Sequence, residues 1–339
     1  MTTLRDVARA TGFSVTTVSR ALRGFEDVTL ETRRRIEEVA RQMSYRPNQI
    51  ARKLVSGQSG MVGLVLEAPP QPFEHGHFFE LVASLSQAFS RRDVDFVLHT
   101  GDGTDVLLTH ERLISRGALD GFVLTLPRLD DPRIDMLIER NVAFVVHGHQ
   151  SGDDRYAYFD TDNHAASMLA VELLARRGHR RIALLAGPEA WPSVEARVRG
   201  YVDAMAAHGL DMDPALVVHG DTSAAYGARA GAVLLARPDA PTAIVCCNSL
   251  AATGVSQAAA GLGLSIPGDL SLVAHDDVLP QVDTATLSPP LTVTRLALRA
   301  AGEPLAELLL RRIAGEPPAA LQVTQRPEVV ERASVASRR

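Results

Sequence analysis

The pattern of apolar and polar positions changes near residue 60. Beyond that point short, continuous apolar runs recur, among them MVGLVLEA (61–68), DGFVLTL (120–126) and RRIALLAG (180–187). Between them lie longer segments with apolar residues at helical spacing, such as AASMLAVELLARRG (165–178). Short apolar runs are typical of strands that are buried on both faces of a parallel sheet. The alternation therefore predicts a parallel α/β body.

The first part of the chain has a helical pattern, and capping residues divide it into three short helices. Thr3 begins the first helix, Asp6 completes a capping box, and Gly12 ends it. Ser14 and Thr29 stand at the cap positions of the second and third helices. Two short helices joined by a glycine-containing turn, with a third behind them, are typical of a helix-turn-helix domain. The sequence therefore predicts an all-α, DNA-binding head.

The second predicted helix carries side chains suited to reading DNA. In a helix-turn-helix domain this helix lies in the major groove, and its N-terminal residues meet the base edges. Val15, Thr16 and Arg20 point away from the apolar stripe and suit thymine methyl groups and guanine. Thr17 and Ser19 suit phosphates. The alternative is an ordinary surface helix, which three correctly capped helices in so short a stretch disfavour.

Charge is divided unevenly between the two parts of the chain. Residues 1–56 hold eleven basic and six acidic side chains, a balance of +5, and the remainder has a balance of −10. Lys53 is the only lysine, so arginine carries nearly all of the positive charge, and its planar fork suits phosphate and guanine. A basic head on an acidic body indicates a polyanion-binding module joined to a second function.

The sequence favours a protein of the reducing cytoplasm. No apolar run is long enough to cross a bilayer, and MTTLRDVARATGF lacks the basic start and apolar stretch of a signal peptide. Cys246 and Cys247 are adjacent and are not expected to form a disulfide.

Candidate motifs for catalysis or metal binding are weak. His147 and His149 have no acidic or Cys partner close in sequence, and alternate residues of a strand face opposite sides. GDGTD (101–105) lacks the glycines and lysine of a phosphate loop, and no GxSxG elbow surrounds Ser193. We therefore expect no enzyme activity, cofactor or metal. A free-standing periplasmic binding protein is the other alternative, which the attached head and the missing signal peptide disfavour.

The head motifs resemble those of one known family. DVARATGFSVTTVSRALRG, followed by VTLETRRRIEEVARQMSYRPNQIARKL, is similar to the DNA-binding head and hinge helix of the lactose-repressor/purine-repressor (LacI/GalR) family. The similarity extends to about residue 332. It implies a homodimer that reads a palindromic operator, with Leu54 as a wedge in the minor groove and Ala51 as its packing neighbour. Arg23 stands where Asn is common. The expected DNA-binding residues are Leu4, Ser14, Val15, Thr16, Thr17, Ser19, Arg20, Thr29, Tyr45, Asn48, Ala51 and Leu54.

The resemblance also implies the organisation of the chain. The expected parts are a helix-turn-helix domain at 1–46, a hinge helix and linker at 47–59, and an effector-binding and dimerisation body at 60–339. The body would consist of two lobes like those of a periplasmic sugar-binding protein, the first about 60–160 plus 291–323 and the second about 161–290 plus 324–332. From the residues alone, NQIARKLV provides only two helical turns, which are marginal in water and suit a helix that folds on DNA.

Polar residues at the ends of predicted strands indicate a ligand cleft in the body. A single polar residue at a strand end is expected simply because the chain leaves the core there. The prediction of a cleft therefore depends on the number of such residues. By resemblance, Arg197 contacts the effector, and Ser249 stands where the family usually has Asp. The expected effector-binding residues are Phe78, Phe79, Thr125, His147, Phe159, Trp191, Arg197, Asn248 and Asp276.

The stretch FVVHGHQ…YAYFDTDN resembles the α-glucoside branch of the family, with His149 where that branch often has Arg. An Arg, an amide and a carboxylate beside aromatic rings suit sugar recognition. The sequence thus predicts a repressor of carbohydrate-utilisation genes, located at the nucleoid through operator binding and controlled by an α-glucoside disaccharide. Two alternatives stay open. The effector could be a purine or nucleoside, or the chain could be a cytoplasmic sugar-binding protein without regulatory DNA binding. Induction, in which the sugar releases the DNA, is the working hypothesis.

Overall fold

The structure, a computed structural model, describes residues 2–22, 25, 27–45, 58–66, 76–100 and 105–338. Contacts divide the chain into two units, Met1–Gly60 and Met61–Arg339, called the head and the body below. Most of the expected hinge segment, including Asn48, Ala51 and Leu54, lies outside the described residues.

Three helices occur in the described part of the head, where the capping pattern predicts them. They are α1 (Leu4–Thr11), α2 (Val15–Leu22) and α3 (Leu30–Gln42). Thr3 and Asp6 form the capping box of α1. The Ser14 hydroxyl accepts the backbone N–H of Thr17 at 3.0 Å, and the Thr29 side chain caps α3. The predicted caps are therefore confirmed.

The apolar stripes of the three helices meet in one small core. Val7 of α1, Val18 and Ala21 of α2, and Ile36 and Ala40 of α3 are all buried in it. Because one stripe of α2 is used for packing, its opposite face is left on the surface of the head.

The body alternates strands and helices, as the apolar pattern predicts. Its strands are β1 (Met61–Leu66), β2 (Asp95–Thr100), β3 (Gly121–Thr125), β4 (Phe144–His147), β5 (Ala157–Thr161), β6 (Ile182–Gly187), β7 (Val217–His219), β8 (Ala243–Cys246), β9 (Ser271–Asp276), β10 (Thr292–Arg295), β11 (Gln322–Gln325) and β12 (Glu328–Val330). Its α-helices are α4 (Gly76–Ser90), α5 (Val106–Ser115), α6 (Pro132–Glu139), α7 (Asn163–Arg176), α8 (Pro192–Ala207), α9 (Ala224–Leu235), α10 (Ser249–Gly261) and α11 (Gly302–Ile313). Short 3-10 helices lie at Pro214–Leu216, Leu298–Ala301 and Pro318–Ala320.

The strands form two sheets, each with six strands among the described residues. The first has the order β11-β5-β4-β3-β1-β2 and the second the order β12-β10-β9-β8-β6-β7. Neighbouring strands are parallel, except that β12 runs antiparallel to β10. Each sheet is buried between two apolar clusters, one on each face. Each sheet with its helices forms one lobe, which explains the continuous apolar runs.

Within the described residues the chain passes between the lobes after β5, after β10 and after β11. The expected lobe bounds need correction at two of these points. The segment 291–323 was expected in the first lobe, but Thr292–Arg295 pairs with β9 in the second sheet. The expected start of the second-lobe tail at 324 is also too early, because Gln322–Gln325 pairs with β5 in the first sheet. Hydrogen-bond partners distant in sequence decide where these short strands belong.

Helices α9 and α10 approach closely because glycines stand at their contact. A Cβ atom at Gly254 would collide with the backbone carbonyl of Ala224, and one at Gly227 with that of Ala251. We expect Gly254→Ala to lower the free energy of unfolding of the body by about 1–3 kcal/mol through overpacking. Gly261→Ala, at the open end of the same helix, is the control. It should be neutral or stabilising, since alanine favours helix. Urea denaturation of both variants with equal midpoints would contradict the close packing.

Candidate DNA-binding surface and effector cleft

The exposed face of α2 carries the side chains that the sequence assigns to DNA. Val15 is 41% exposed, and Thr16 and Arg20 are also exposed, whereas Thr17 and Ser19 are half-buried. These five side chains are not part of the apolar cluster of the head, although the Thr17 hydroxyl forms a hydrogen bond with the Ser14 cap at 2.8 Å. A helix face of this kind can present methyl, hydroxyl and guanidinium groups to a groove of DNA.

The other expected DNA-binding residues lie around this face in different settings. Leu4 and Tyr45 are half-buried and pack against the head core. Burial raises the pKa of Tyr45, so its hydroxyl stays protonated and can donate a hydrogen bond. Thr29 is exposed at the start of α3, where its hydroxyl is occupied by the cap.

In the body, the two sheets present their carboxyl ends to the region between the lobes. The chain leaves β5, β10 and β11 at these ends each time it passes to the other lobe. The loops after β3 and β6 meet across this region, where the backbone N–H of Leu129 donates to the carbonyl of Ala190 at 2.9 Å. The region between the lobes is therefore a cleft lined by strand ends, the usual place for a ligand in α/β sheets.

On the first lobe, three of the expected effector residues stand in one row. Strand register places Thr125 of β3 beside His147 of β4, and His147 beside Phe159 of β5. The rings of His147 and Phe159 stack, with centroids 6.4 Å apart. Phe159 is only 2% exposed and packs in the first-lobe core. It therefore supports the His147 ring from the core side and offers almost no surface to a ligand.

His147 lies near acidic side chains of both lobes. Burial lowers the pKa of its imidazole, whereas the negative charges of Asp160 and Asp277 act in the opposite direction. Asp277 follows β9 in the second lobe, so the ring lies within reach of charges from both lobes. The neighbouring His149 binds Asp160 at 2.8 Å and stacks on Tyr158 with centroids 4.4 Å apart.

The aromatic residues expected in the cleft have unequal exposure. Phe78 is half-buried against the first-lobe core, while Phe79 is 61% exposed, and their rings meet edge to face at 5.9 Å. Trp191 stands at the N-cap position of α8 without a side-chain cap hydrogen bond and packs against the second-lobe core. Phe79 is therefore the member of this group with most surface to offer a ligand.

Arg197 of α8 has hydrogen-bonding capacity that its neighbours leave unused. One terminal nitrogen donates weakly to the carbonyl of Ala186 at 3.4 Å, and the buried Nε has no hydrogen-bond partner. A Cβ atom at Gly187, whose φ is 105°, would lie 3.1 Å from a methyl carbon of Val194 and 3.8 Å from the Arg197 guanidinium, so the glycine lets both side chains pack close to the backbone. A buried donor without a partner costs stability, so the site favours an acceptor from a ligand.

Asn248 and Asp276, by contrast, are already engaged within the second lobe. The Asn248 amide donates to the carbonyl of Thr222 at 2.9 Å, and its oxygen caps α10 by accepting the N–H of Ala251. Asp276 is 2% exposed; its carboxylate accepts the hydroxyl of Thr284 at 2.8 Å and the N–H of Val278 at 2.9 Å. The hydrogen bonds of both side chains thus hold the polypeptide in place at the edge of the cleft.

A buried ion pair holds the first-lobe loop that reaches the second lobe. Asp131 and Arg133 lie 2.6 Å apart, and the Arg133 guanidinium also donates to the carbonyls of Thr125 and Leu126 at 3.2 Å. Burial would raise the pKa of Asp131, but the hydrogen bonds and charge of Arg133 outweigh it and lower the pKa. The pair therefore fixes the shape of the loop that carries Leu129.

Known proteins match both parts of this arrangement. The family of bacterial regulatory proteins of the lacI type matches residues 3–48, and the periplasmic binding protein-like domain matches residues 171–335. The HTH-type transcriptional regulator AglR of Rhizobium meliloti (strain 1021) is 40% identical over 332 residues, which cover 98% of this chain and 93% of AglR. This chain belongs to the LacI family. The resemblance seen in the head motifs is thereby confirmed, and so is the expectation of a transcriptional regulator and not an enzyme.

Further relatives of this LacI-family chain extend over its whole length. The HTH-type transcriptional regulator RafR of Escherichia coli is 35% identical, covering 96% of each chain. A solved complex of the transcriptional regulator CelR with cellobiose is 29% identical and covers 98% of this chain and all of the other, with a TM-score of 0.72. The lac repressor dimer bound to operator and the anti-inducer ONPF, 24% identical over 99% of each chain, has the same fold with a TM-score of 0.77.

Among the residues that the structure describes, no helix is long and apolar enough to span a bilayer. The same residues contain no cluster of three or more His, Cys, Asp or Glu side chains arranged for a metal ion.

Sequence reasoning missed several polar residues of the LacI-family cleft. Asp276 is predicted from the sequence as an effector contact and its neighbour Asp277 is not, although the HDD triplet offers both carboxylates. Asp160, the partner of His149, is not identifiable from the sequence, because its position in FDTDN does not indicate which face of β5 it occupies. Asp131 and Arg133 carry no motif, and only the structure reveals their buried pair.

Proposed function

We propose that this LacI-family chain is a repressor that binds a palindromic operator as a homodimer and controls carbohydrate-utilisation genes in the bacterial cytoplasm. One observation carries the proposal: a single chain contains both an exposed helix-turn-helix face and a two-lobed body. The regulators AglR and RafR are similar to this chain over nearly its whole length. In this proposal Val15, Thr16 and Arg20 meet base edges, while Thr17 and Ser19 meet phosphates. Leu54 wedges into the minor groove.

The proposed effector is an α-glucoside disaccharide that binds in the cleft between the lobes. The CelR structure supports a disaccharide, because that regulator, similar along its whole length, is solved with cellobiose. The α-linkage rests on the resemblance of FVVHGHQ…YAYFDTDN to the α-glucoside branch. Arg197 would donate to sugar hydroxyls through N–H groups of its half-buried guanidinium, and Phe79 would cover the C–H face of a ring.

Control of DNA binding requires the effector to favour one arrangement of the lobes over another. Two features depend on how closely the lobes approach each other. They are the hydrogen bond between Leu129 and Ala190 and the proximity of His147 to Asp277. A sugar that contacts both Arg197 of the second lobe and the row of Thr125 and His147 on the first lobe would stabilise a closed form, in which the lobes lie close together. We propose that this closed form binds the operator weakly, so that the sugar induces expression.

The test is DNA-binding anisotropy at fixed salt, because affinity for DNA depends steeply on ionic strength. The probe is the palindromic segment upstream of the gene, titrated with trehalose, maltose, sucrose, cellobiose, simple hexoses and purines. Release by one α-glucoside is the expected result. Release by a purine would replace the sugar proposal with the nucleobase alternative, and tighter binding with sugar would overturn induction. Absence of specific binding would remove the operator-reading role of α2.

A further inference from the structure

The guanidinium of Arg20 on α2 is held by two side chains of the loop that follows the helix. Its terminal nitrogen lies 2.6 Å from a carboxylate oxygen of Asp27, and its central carbon lies 5.5 Å from the centre of the Phe25 ring. The side chains of Arg20 and Asp27 are each 48% exposed, and Phe25 is 46% exposed. The cluster therefore lies on the surface of the head, beside the helix that carries the proposed base contacts.

The backbone holds this part of the loop against the end of α2. The N–H of Phe25 donates to the carbonyl of Arg20 at 3.1 Å, and the N–H of Val28 donates to the carbonyl of Phe25 at 3.3 Å. Arg33 of α3 donates a guanidinium N–H to the same Phe25 carbonyl at 2.8 Å. Val28, which follows Asp27, is buried in the head core. The position of the Asp27 carboxylate is thus set by the fold of the head.

Stability does not account for this arrangement. Half-exposed ion pairs contribute little to folding, because solvent screens them and both side chains lose freedom. An exposed phenylalanine also gains little from burial at its position. The arrangement does restrict Arg20, whose long side chain has many rotamers when nothing holds it. A fixed orientation matters most where the side chain must meet a particular partner.

Guanine recognition is the chemistry that needs such a fixed orientation. The guanidinium has five N–H donors in a rigid plane, and guanine uses two of them through O6 and N7. A carboxylate on one edge of the plane leaves another edge available for the base. A carboxylate beside the groove also repels phosphates, so it disfavours binding in which Arg20 turns to the DNA backbone. Asp27 therefore opposes general DNA affinity while supporting one base contact.

We infer that Asp27 is a positioning residue for base recognition, whose carboxylate holds the guanidinium of Arg20 in the orientation that reads guanine. The inference rests on the proposed role of Arg20 in the major groove. Phe25 supports the same orientation through the face of its ring. Loss of the Asp27 charge should release Arg20 towards phosphates, strengthening binding to every sequence and weakening the preference for guanine.

The experiment compares wild type, Asp27→Asn, Arg20→Ala and the matched control Glu37→Gln. Glu37→Gln removes one negative charge from the exposed surface of α3 and leaves the Arg20–Asp27 pair in place. The full-length wild-type protein first selects its preferred operator from a random-sequence duplex pool. Anisotropy at fixed salt then gives the affinity of each variant for that operator, for operators with each guanine replaced by adenine, and for a random duplex.

We expect Arg20→Ala to lose its preference for one guanine in each half-site. Asp27→Asn should reduce the preference for that same guanine by roughly tenfold while binding the random duplex a few-fold more tightly. Glu37→Gln should tighten binding to the random duplex and leave the guanine preference unchanged. Circular dichroism confirms that each head is folded, and Arg20→Lys, which keeps the charge without the fork, replaces Arg20→Ala where that variant does not fold.

The measurements distinguish loss of the role of Arg20 from loss of the role of Asp27. Full guanine preference in Arg20→Ala would remove Arg20 from base recognition, and the inference with it. Loss of preference in Arg20→Ala, with Asp27→Asn indistinguishable from Glu37→Gln, would leave the role of Arg20 intact and overturn the role of Asp27 alone.

Discussion

Replacing Asp131 by alanine is expected to lower the free energy of unfolding of the body by about 3–5 kcal/mol. The substitution leaves the Arg133 guanidinium, whose side chain is only 6% exposed, without its carboxylate partner. It also removes the side-chain cap of α6, which accepts the backbone N–H of Arg133. Since folding lowers the pKa of Asp131, its contribution is present above the ordinary value of 3.8 and is lost as the pH falls towards the lowered value. Chemical denaturation at neutral and acidic pH measures both effects.

The control for this prediction lies on the same helix. Asp135 pairs with Arg155 on the surface, with both side chains more than half exposed. Asp135→Ala should therefore change the free energy of unfolding by less than about 1 kcal/mol. A joint replacement of Asp131 and Arg133 by apolar residues of similar volume should recover much of the loss, because no buried charge is then left unpaired. Equal destabilisation by Asp131→Ala and Asp135→Ala would show that the buried pair has no special role.

The second prediction concerns the response to the effector. Arg197→Ala should raise the sugar concentration needed for half-release of operator DNA by about 100-fold or more. The reason is that two hydrogen bonds from a charged donor, each worth about 1.5–3 kcal/mol, are lost. Operator binding without sugar should be unchanged, because Arg197 lies in the body. The ligand-free variant should be as stable as the wild type or more stable, since a buried, unpaired Nε is removed.

Arg199→Ala is the matched control, two residues further along α8. Its guanidinium is 45% exposed and pairs with Glu195 on the helix surface. This variant should respond to the sugar like the wild type. Calorimetric titration of both variants with the active sugar, together with anisotropy on the operator, separates loss of binding from loss of coupling. An Arg197→Ala protein that is released at the wild-type sugar concentration would remove Arg197 from the site.

The parts of this protein that were predictable from the sequence are those with local causes. Thr3, Ser14 and Thr29 identify helix starts because a cap acts within three residues of itself. The apolar runs identify strands because burial on both faces leaves no polar positions. The lobe to which β10 belongs was not predictable, since TVTR fits an interior strand of either sheet and only its pairing with β9 decides.

The cleft was predictable in outline and not in detail. Its position follows from the parallel sheets, and Arg197 follows from the family motif. Whether a strand-end side chain faces the ligand or its own lobe depends on partners elsewhere in the chain. Asp276 illustrates this, because Thr284 and Val278 occupy a carboxylate that the motif alone assigns to an effector.

The interleaving of the two lobes along the chain has a consequence for synthesis on the ribosome. The head needs only the first 45 or so residues for its core, whereas the first sheet lacks β11 until Gln325 has emerged and the second lacks β12 until Val330. Ser334 then joins the second lobe by bonding to Thr292 and Leu272. Because domains fold as units while the chain emerges, the DNA-reading part is complete long before either half of the sensor. A ribosome stalled near the end of the messenger RNA would carry a folded head joined to an incomplete body that cannot respond to an effector.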